Sequence, residues 1–508
     1  MKKFTYLSIL LIAAMACNPE ETPNEVVKPI SFDVFGFSAE ANSEIISSDI
    51  VVESPAAGVL NIELPIGTPA DALETLVPYF EVEEDAVVTV DGSTIESNVT
   101  VIDFSNTVDI YISKENRNAL YSVNVSIKAA PKWRLLATSD KVTSGEFTMA
   151  ISPDNIPYIA TAVEVEVNVT TESGESVETK EYPALYRIES SFENALTAQY
   201  FFEEDAAAPS MSFDSEGTPY VAFNDERADK GEISVFKVEN GAAAQIGASG
   251  VIYTADGPFP IFYIADNDIY LATFNAQRNV TIERRALNLV HFDGAQWQNG
   301  VSLPEHDPAK LSLKVLGQTV NGVHYIFDVD RSEPYGANIY KYDTVNGNAW
   351  EIVAASLKPI AADGSTEIGF TNLYCTAEFN VDNDGNIYFV TGANFTSADA
   401  YNPAVVRYNP ETKTQNIIGG VFTNISNDKY ATFKIAFDNT NTPYIVYKYD
   451  SMNAMTYVSY LDNNTKQWST PESIIVGADP QICFDSEGNG YVAIVNEDDK
   501  IAVYTTKQ

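Results

Sequence analysis

The sequence predicts an all-β chain: a small β domain followed by a ring of β-hairpin repeats. Three observations carry that expectation. The stretch Phe213-Asp-Ser-Glu-Gly-Thr-Pro-Tyr-Val-Ala-Phe223 has an apolar run entering an Asp-x-x-Gly turn and an alternating run leaving it, the pattern of a β-hairpin. Recognisable versions return to the C-terminus and align on Tyr158, Tyr220, Tyr270, Tyr325, Tyr388, Tyr444 and Tyr491, in steps of 62, 50, 55, 63, 56 and 47 residues. From Ile30 to about Ile127 apolar and polar residues alternate as in half-buried strands. Seven copies at such a period predict a seven-bladed β-propeller, with six or eight blades as alternatives.

The chain begins with an export signal. Lys2-Lys3 precede the apolar run Leu7–Ala16, which is too short to span a bilayer, and Cys17 follows. Ala14-Met-Ala-Cys17 resembles the lipobox of bacterial lipoproteins, which implies that Cys17 is acylated after cleavage. The acidic Asn18-Pro-Glu-Glu-Thr-Pro23 beyond it is similar to the surface-export signals of Bacteroidetes lipoproteins, which implies an outer-membrane protein exposed at the cell surface or facing the periplasm. Residues 1–17 are thus leader and lipobox, and residues 18–29 an acidic, Pro-containing tether.

Residues 30–128 form the small β domain. Leu60-Asn-Ile-Glu-Leu64, Val87-Val-Thr-Val90 and Tyr121-Ser-Val-Asn-Val-Ser-Ile127 alternate as strands, and Thr68-Pro-Ala-Asp-Ala-Leu-Glu-Thr-Leu76 reads as a short helical turn with Thr68 as its N-cap. The order Leu64-Pro-Ile-Gly-Thr68, Asp103-Phe-Ser-Asn-Thr-Val108, Tyr121-Ser-Val-Asn-Val125 resembles the Ig-like β-sandwich domains near the N-termini of Bacteroidetes lipoproteins. That likeness implies a spacer and brings no catalytic residue.

Residues 132–508 hold the repeats, each read as strands a to d. Strand a ends at the Asp turn, strand b begins at the aligned tyrosine, and strand d often opens on tryptophan (Trp297, Trp350, Trp468). The copy around Tyr491 has no strand d, whereas Trp133-Arg-Leu-Leu-Ala-Thr138 has the strand-d pattern and no strand c of its own. The expectation is ring closure by strand exchange, which leaves no open edge at the seam. The repeats resemble seven-bladed propellers of secreted bacterial proteins. They also resemble the Asp-box turn of sialidase-like propellers, but Phe213-Asp-Ser-Glu-Gly217 lacks the serine spacing and tryptophan of that turn, so no sialidase chemistry carries over.

Charge narrows the partners. With 30 basic and 71 acidic residues the chain carries a formal −41, which repels phosphate backbones and anionic lipid. Nucleic acid is excluded, and the membrane is met only through the lipid anchor. Cys375 and Cys483 are expected as two buried thiols, and with three scattered histidines and no Cys-x-x-Cys pair no zinc site is assigned. Asn380-Val-Asp-Asn-Asp-Gly385 spaces oxygen ligands as a calcium loop does, but the twelfth position is Thr391. It is read as an ordinary hairpin turn, and no metal or cofactor is expected.

Topology alone marks a working face. In up-and-down repeats the a–b and c–d turns emerge on one side, and here they are short. The b–c and d–a connections emerge on the other side and are long and irregular: 167–180, 328–338 and 392–403; 201–209, 304–310 and 358–374. They carry Phe201, Phe202, Tyr335, Phe395 and Tyr401 beside acids and amides, a mixture suited to sugar or peptide binding. His306 also lies there and reads as a solvated histidine. The functional expectation is a monomeric, non-enzymatic envelope lipoprotein with a binding face for glycan or protein. A carbohydrate-active hydrolase or lyase using acids on the same face is the alternative, and a structural envelope protein the third reading.

Overall fold

A computed structural model describes residues 29–507 except for 131, 172–173, 189–198, 204–205, 226–231, 240, 248–260, 266–267, 275–285, 299–300, 308–309, 331–335, 344–348, 361–366, 368–377, 392–403, 423–431 and 449–454. The N-terminal domain has eight strands: β1 (Phe32–Phe37), β2 (Ile50–Glu53), β3 (Gly58–Leu64), β4 (Pro78–Val82), β5 (Val87–Val90), β6 (Ser93–Thr94), β7 (Val108–Lys114) and β8 (Arg117–Ile127). They form two sheets, β2-β1-β4 and β3-β8-β7-β5-β6, antiparallel except for β3 beside β8. Strict alternation drives the packing: Val108, Ile110 and Ile112 of β7 point inward while Asp109, Tyr111 and Ser113 face water. Phe32, Phe35, Phe37, Leu64, Phe104 and Tyr121 complete one core between the sheets. The Tyr121 hydroxyl is buried and satisfied, accepting from Phe32 N at 3.3 Å and donating to Pro55 O at 3.0 Å. The helical turn Ala70–Thr75 is 3₁₀, and Thr68 does not cap it; the Thr68 hydroxyl donates instead to Pro65 O at 2.8 Å.

The rest of the chain is built of four-stranded antiparallel units. The first contains β9 (Arg134–Ile151), β10 (Pro157–Thr171), β11 (Gly174–Arg187) and β12 (Gln199–Tyr200). Then come β13 (Ala206–Phe213) to β14 (Pro219–Asp225), β15 (Glu232–Glu239) and β16 (Ala242–Gln245), and β17 (Ile261–Ala265), β18 (Asp268–Phe274), β19 (Leu287–Phe292) and β20 (Trp297–Gln298). The next two are β21 (Ser312–Val320), β22 (Val323–Asp330), β23 (Ala337–Asp343), β24 (Trp350–Leu357), and β25 (Glu378–Val381), β26 (Ile387–Thr391), β27 (Ala404–Asn409), β28 (Thr414–Val421). The last strands are β29 (Phe433–Phe437), β30 (Pro443–Lys448), β31 (Met455–Tyr460), β32 (Glu472–Phe484), β33 (Gly490–Asn496) and β34 (Lys500–Thr505). The first strands of the units touch in a closed circle, β9, β13, β17, β21, β25, β29, β32 and back to β9.

Two long strands each serve two units, which fuses the ends of the chain into one sheet. The first half of β9 pairs with the C-terminal strand, Arg134↔Thr505 to Val142↔Lys500, and its second half pairs with β10, Thr143↔Val163 to Ile151↔Pro157. β32 pairs with β31 up to Val476 and with β33 from Gly477. A Cβ on Gly477 would lie 2.3 Å from Ile494 Cγ2, so only glycine passes this crossing.

The turn joining the first two strands has a common chemistry in several units, whereas β21 and β22 are joined by the two-residue turn Asn321-Gly322. Asp382 Oδ1 accepts from Asp384 N and Asn386 N at 3.0 and 2.8 Å, and its Oδ2 accepts from the Tyr388 hydroxyl at 3.0 Å. Asp485 repeats this with Glu487 N, Asn489 N and Tyr491, and Asp438 takes the two amides, of Thr440 and Thr442. Asp214 takes the same two amides, of Glu216 and Thr218. The fourth residue must adopt positive φ, which Gly217, Gly385 and Gly488 do freely and Asn155 and Asn441 tolerate. In the first unit the acceptor is Ser152, six residues before Tyr158, rather than Asp154. Neighbouring turns also bond to each other: Asn383 N to Asn441 Oδ1, Asn439 Nδ2 to Glu487 O, and Ser486 N to Asn155 Oδ1.

The N-terminal domain sits on this turn side. Lys128 Nζ lies 3.0 Å from Asp438 Oδ2, whose side chain is fully buried, and donates to Asn439 Oδ1 at 2.9 Å. Asn463 in the β31–β32 turn donates its N–H to Ile66 O at 3.1 Å and its side chain to Ile45 O. Ile66 is buried among Tyr444, Val446, Val458, Val492 and Ile494.

At the seam, Trp133 is only half-buried, its ring lying against Gly490, while Leu136 is buried in the core shared by β9, β10, β11, β33 and β34. Leu136→Ala is therefore expected to cost about 2–5 kcal/mol, and Trp133→Ala about 2 kcal/mol, less than a fully buried tryptophan. Chemical denaturation of both variants checks the order; a larger loss at Trp133 contradicts it.

Candidate functional site

Several connections on the side away from the N-terminal domain differ from what the sequence suggests. Val167–Lys180 is not an irregular loop; β10 and β11 continue through it as a ribbon paired to Thr171↔Gly174. Its exposed positions carry Glu164, Glu166, Glu175 and Glu178. β22 extends to Asp330, and β13 begins at Ala206 with a bulge at Ala208.

Of the residues singled out for binding, Phe201 and Phe202 are anchors. Phe201 meets the rings of Phe223 and Phe236 with centroids 5.1 and 5.4 Å apart, Phe202 meets Phe236 at 5.6 Å, and both pack on the core of Val221, Phe223 and Phe236. A ring already stacked on the core gives up that contact to stack on a ligand. Tyr335, Phe395, Tyr401, Cys17 and Cys375 lie outside the described residues. Cys483 is a free thiol in β32, and burial raises its pKa.

The calcium-like spacing at Asn380–Gly385 is the Asp382 turn. Its carboxylate is filled by amide, Asn386 side-chain and tyrosine donors, so those oxygens face N–H and O–H groups rather than a cation. The histidines also resolve. His324 is buried against Tyr263 with Thr319 Oγ1 2.8 Å from its Nδ1, and burial lowers its pKa to about 4. His291 stacks on Tyr270 at 4.6 Å. His306 is the exception. It is half-buried rather than solvated, and its Nε2 is buried without a hydrogen-bond partner.

Around His306 the structure assembles a polar cluster that the sequence does not reveal. Ile326, Asp328 and Asp330 alternate along β22 and so share one face, and cross-strand pairing places Tyr340 opposite Ile326 and Ser312 opposite Asp330. Ile326, Tyr340 and Val315 join Leu287, Leu289 and Leu303 in an apolar core, and beyond them, toward the connection side, stand Asp328 and Asp330. Both acids are buried. Lys310 Nζ lies 3.4 Å from Asp330 Oδ2, and the His306 ring meets Tyr340 edge-on with centroids 6.4 Å apart. Asp328 Oδ1 and the Tyr340 hydroxyl, like His306 Nε2, are buried without hydrogen-bond partners.

Burial dominates the electrostatics. It raises the Asp328 pKa from 3.8 to about 7; Ser312 lowers it and Asp330 raises it further. Asp330 is also raised by burial, with Lys310 opposing. Burial lowers His306, although a backbone hydrogen bond with Leu287 and the charges of Asp307 and Asp330 oppose it. Near neutral pH the cluster thus offers a carboxyl poised between acid and carboxylate, a neutral imidazole and a phenol. These groups can donate and accept hydrogen bonds or move a proton. Nearby on the first strands, Glu378 Oε2 lies 3.0 Å from Lys434 Nζ and 3.9 Å from Lys314 Nζ, linking three successive units.

No family model matches this chain, and no curated protein matches it. Among solved structures, hydrazine synthase of Kuenenia stuttgartiensis is similar at a TM-score of 0.43 and 9% identity, over 71% of this chain and 95% of that one. The Dos1 propeller is similar at a TM-score of 0.41 and 10% identity, over 73% and 95%. The polysaccharide lyase Uly1 is similar at 0.39 and 11%, over 68% and 87%.

Asp328 should leave a signature in the pH dependence of stability. Its folded pKa exceeds the ordinary value, so the folded chain holds more protons than the unfolded one between about pH 4 and pH 7, and this group's contribution falls as pH rises through that window. Asp328→Asn is expected to flatten that slope and to raise the melting temperature at pH 8 relative to the parent. Thermal unfolding from pH 4 to pH 8 checks it; parallel curves for the two proteins would show that Asp328 holds no such proton.

Proposed function

We propose that this chain is a cell-envelope lipoprotein in which a seven-bladed β-propeller, closed by exchange of its terminal strands and carried on an Ig-like spacer, displays its long-connection face to a glycan or protein. The observation that carries this reading is where the N-terminal domain sits. Its described contacts, through Ile45, Ile66 and Lys128, fall on the turn side, at Asp438, Asn439 and Asn463. A tether leaving that domain at residue 29 holds the opposite face away from its own anchor. The polar cluster at the end of β22 supports the same assignment, because buried hydrogen-bonding groups beside aromatic and apolar side chains suit a ligand rich in hydroxyls.

One observation favours the second reading, a carbohydrate-active hydrolase or lyase. A carboxyl with its pKa near 7 beside a neutral imidazole and a phenol has the acid–base range that such reactions use. A hydrolysis and elimination screen on the same glycans separates binding from turnover.

The address is tested by Cys17→Ser, expected to move the protein from the membrane fraction to the soluble one; unchanged, detergent-dependent fractionation contradicts lipidation. The face is tested on the mature chain by replacing Tyr335, Phe395 and Tyr401 with alanine. With about 1 kcal/mol lost per stacking contact, affinity for a ligand found on a glycan array is expected to fall roughly a hundredfold while the melting temperature holds. Normal binding by the triple variant, or loss of its fold, would make these residues loop anchors.

A further inference from the structure

The aligned repeats make one position at the polar cluster stand apart. Three residues after the aligned tyrosine the chain has Thr161, Phe223, Thr273, Thr391, Tyr447 and Ile494, and in the remaining copy it has Asp328. The position is internal in the described copies, and where a hydroxyl occupies it in the first unit the fold satisfies it: Thr161 Oγ1 lies 2.7 Å from Thr143 Oγ1 and donates to Glu146 O at 2.8 Å. A second buried acid on the connection side is likewise satisfied, since Asp225 Oδ2 accepts from Ser234 Oγ at 2.5 Å. Asp328 is as deeply buried, 3% exposed, yet its Oδ1 has no partner, and neither has the Tyr340 hydroxyl nor His306 Nε2. Leaving several buried polar atoms unsatisfied is unfavourable, so a site that keeps them together implies an occupant that completes them.

We propose that Asp328, Tyr340 and His306, flanked by the Lys310–Asp330 pair, form a recognition site for adjacent hydroxyls of a neutral sugar residue. This deepens the display reading and rests on it. Hydroxyls suit the set because each both donates and accepts, while the cluster presents a bare imidazole nitrogen as acceptor, a phenol of either role and a carboxyl oxygen. Charge selects against acidic sugars. The Lys310 ammonium is committed to Asp330, Glu305 and Asp307 stand exposed alongside, and the chain as a whole carries −41, so among the described residues of the cluster a uronate or sulfate would meet no uncommitted cation. Burial favours the protonated form of Asp328 below about pH 7, which keeps the site close to neutral. Lys310, with 43% of its side chain exposed, marks where the cluster meets solvent.

The test uses the mature full chain on a printed array of neutral, uronate-containing and sulfated oligosaccharides, followed by calorimetry with the best neutral glycan. Tyr340→Phe and Asp328→Leu are expected to weaken binding at least tenfold, and Asp328→Asn, which keeps a donor and an acceptor, to restore most of it. Tyr340→Phe removes one oxygen from a packed ring, so it reports on recognition even if Asp328→Leu disturbs folding, which melting curves show. Binding of a neutral glycan unchanged in both variants overturns the site, leaves ordered water as its occupant and leaves the display reading standing. Binding confined to acidic glycans overturns the neutral-sugar assignment, and a parent protein that binds no glycan overturns both the site and the glycan form of the display reading.

Discussion

Four described units of the repeat region depend on one interaction, the aspartate that closes the turn between their first two strands. Its carboxylate takes two backbone amides of the turn and, in the units of Asp382 and Asp485, the hydroxyl of the tyrosine that opens the next strand. One side chain thereby fixes the turn, sets the register of the hairpin and satisfies a phenol that must be buried for the units to pack. The spacing of six between aspartate and tyrosine is the reach of that carboxylate over its own turn. Where serine replaces the acid, at Ser152, a backbone amide is still capped but the charge-assisted bonds are gone.

The shared turn has a consequence for the two sides of the ring of strands. The turns around Asn155, Asp382, Asp438 and Asp485 have one length and bond to one another, giving a regular surface on which the N-terminal domain rests through Lys128, Ile66 and Asn463. Asp438 is the point where the two systems meet, since the carboxylate that organises its own turn also receives Lys128. The opposite side has no such rule, and there the connections vary from the long β10–β11 ribbon to short returns. A level side that carries the N-terminal domain and a side facing away whose connections differ in length is an arrangement in which only the second can vary without disturbing the packing.

The polar cluster at the end of β22 departs from the apolar packing that holds neighbouring units together. Ile326 and the Tyr340 ring continue that packing, and two residues along the same face Asp328 interrupts it. A buried carboxyl is costly where a threonine, phenylalanine or isoleucine serves in other copies, and it stands at the connection side rather than among the regular turns.

Much of this was legible in the sequence. Alternation, the Asp-x-x-Gly turns and the tyrosine spacing define strands and turns because each is a local matter of side-chain direction and backbone conformation. What was misjudged depends on neighbours distant in the chain. Phe201 and Phe202 look like exposed loop aromatics until Phe223 and Phe236 are found beneath them. His306 looks solvated until the tertiary fold brings Tyr340 and Asp330 beside it. Asp328 and Asp330 look like the start of a loop, since acids usually mark strand ends, whereas the structure keeps them in the strand and buries them. Sequence alone determined the repeat and its turn chemistry, because both are written within a dozen residues. Only the tertiary structure decided which polar groups lose water, because burial is set by what packs across from a side chain, and that partner can lie anywhere in the chain.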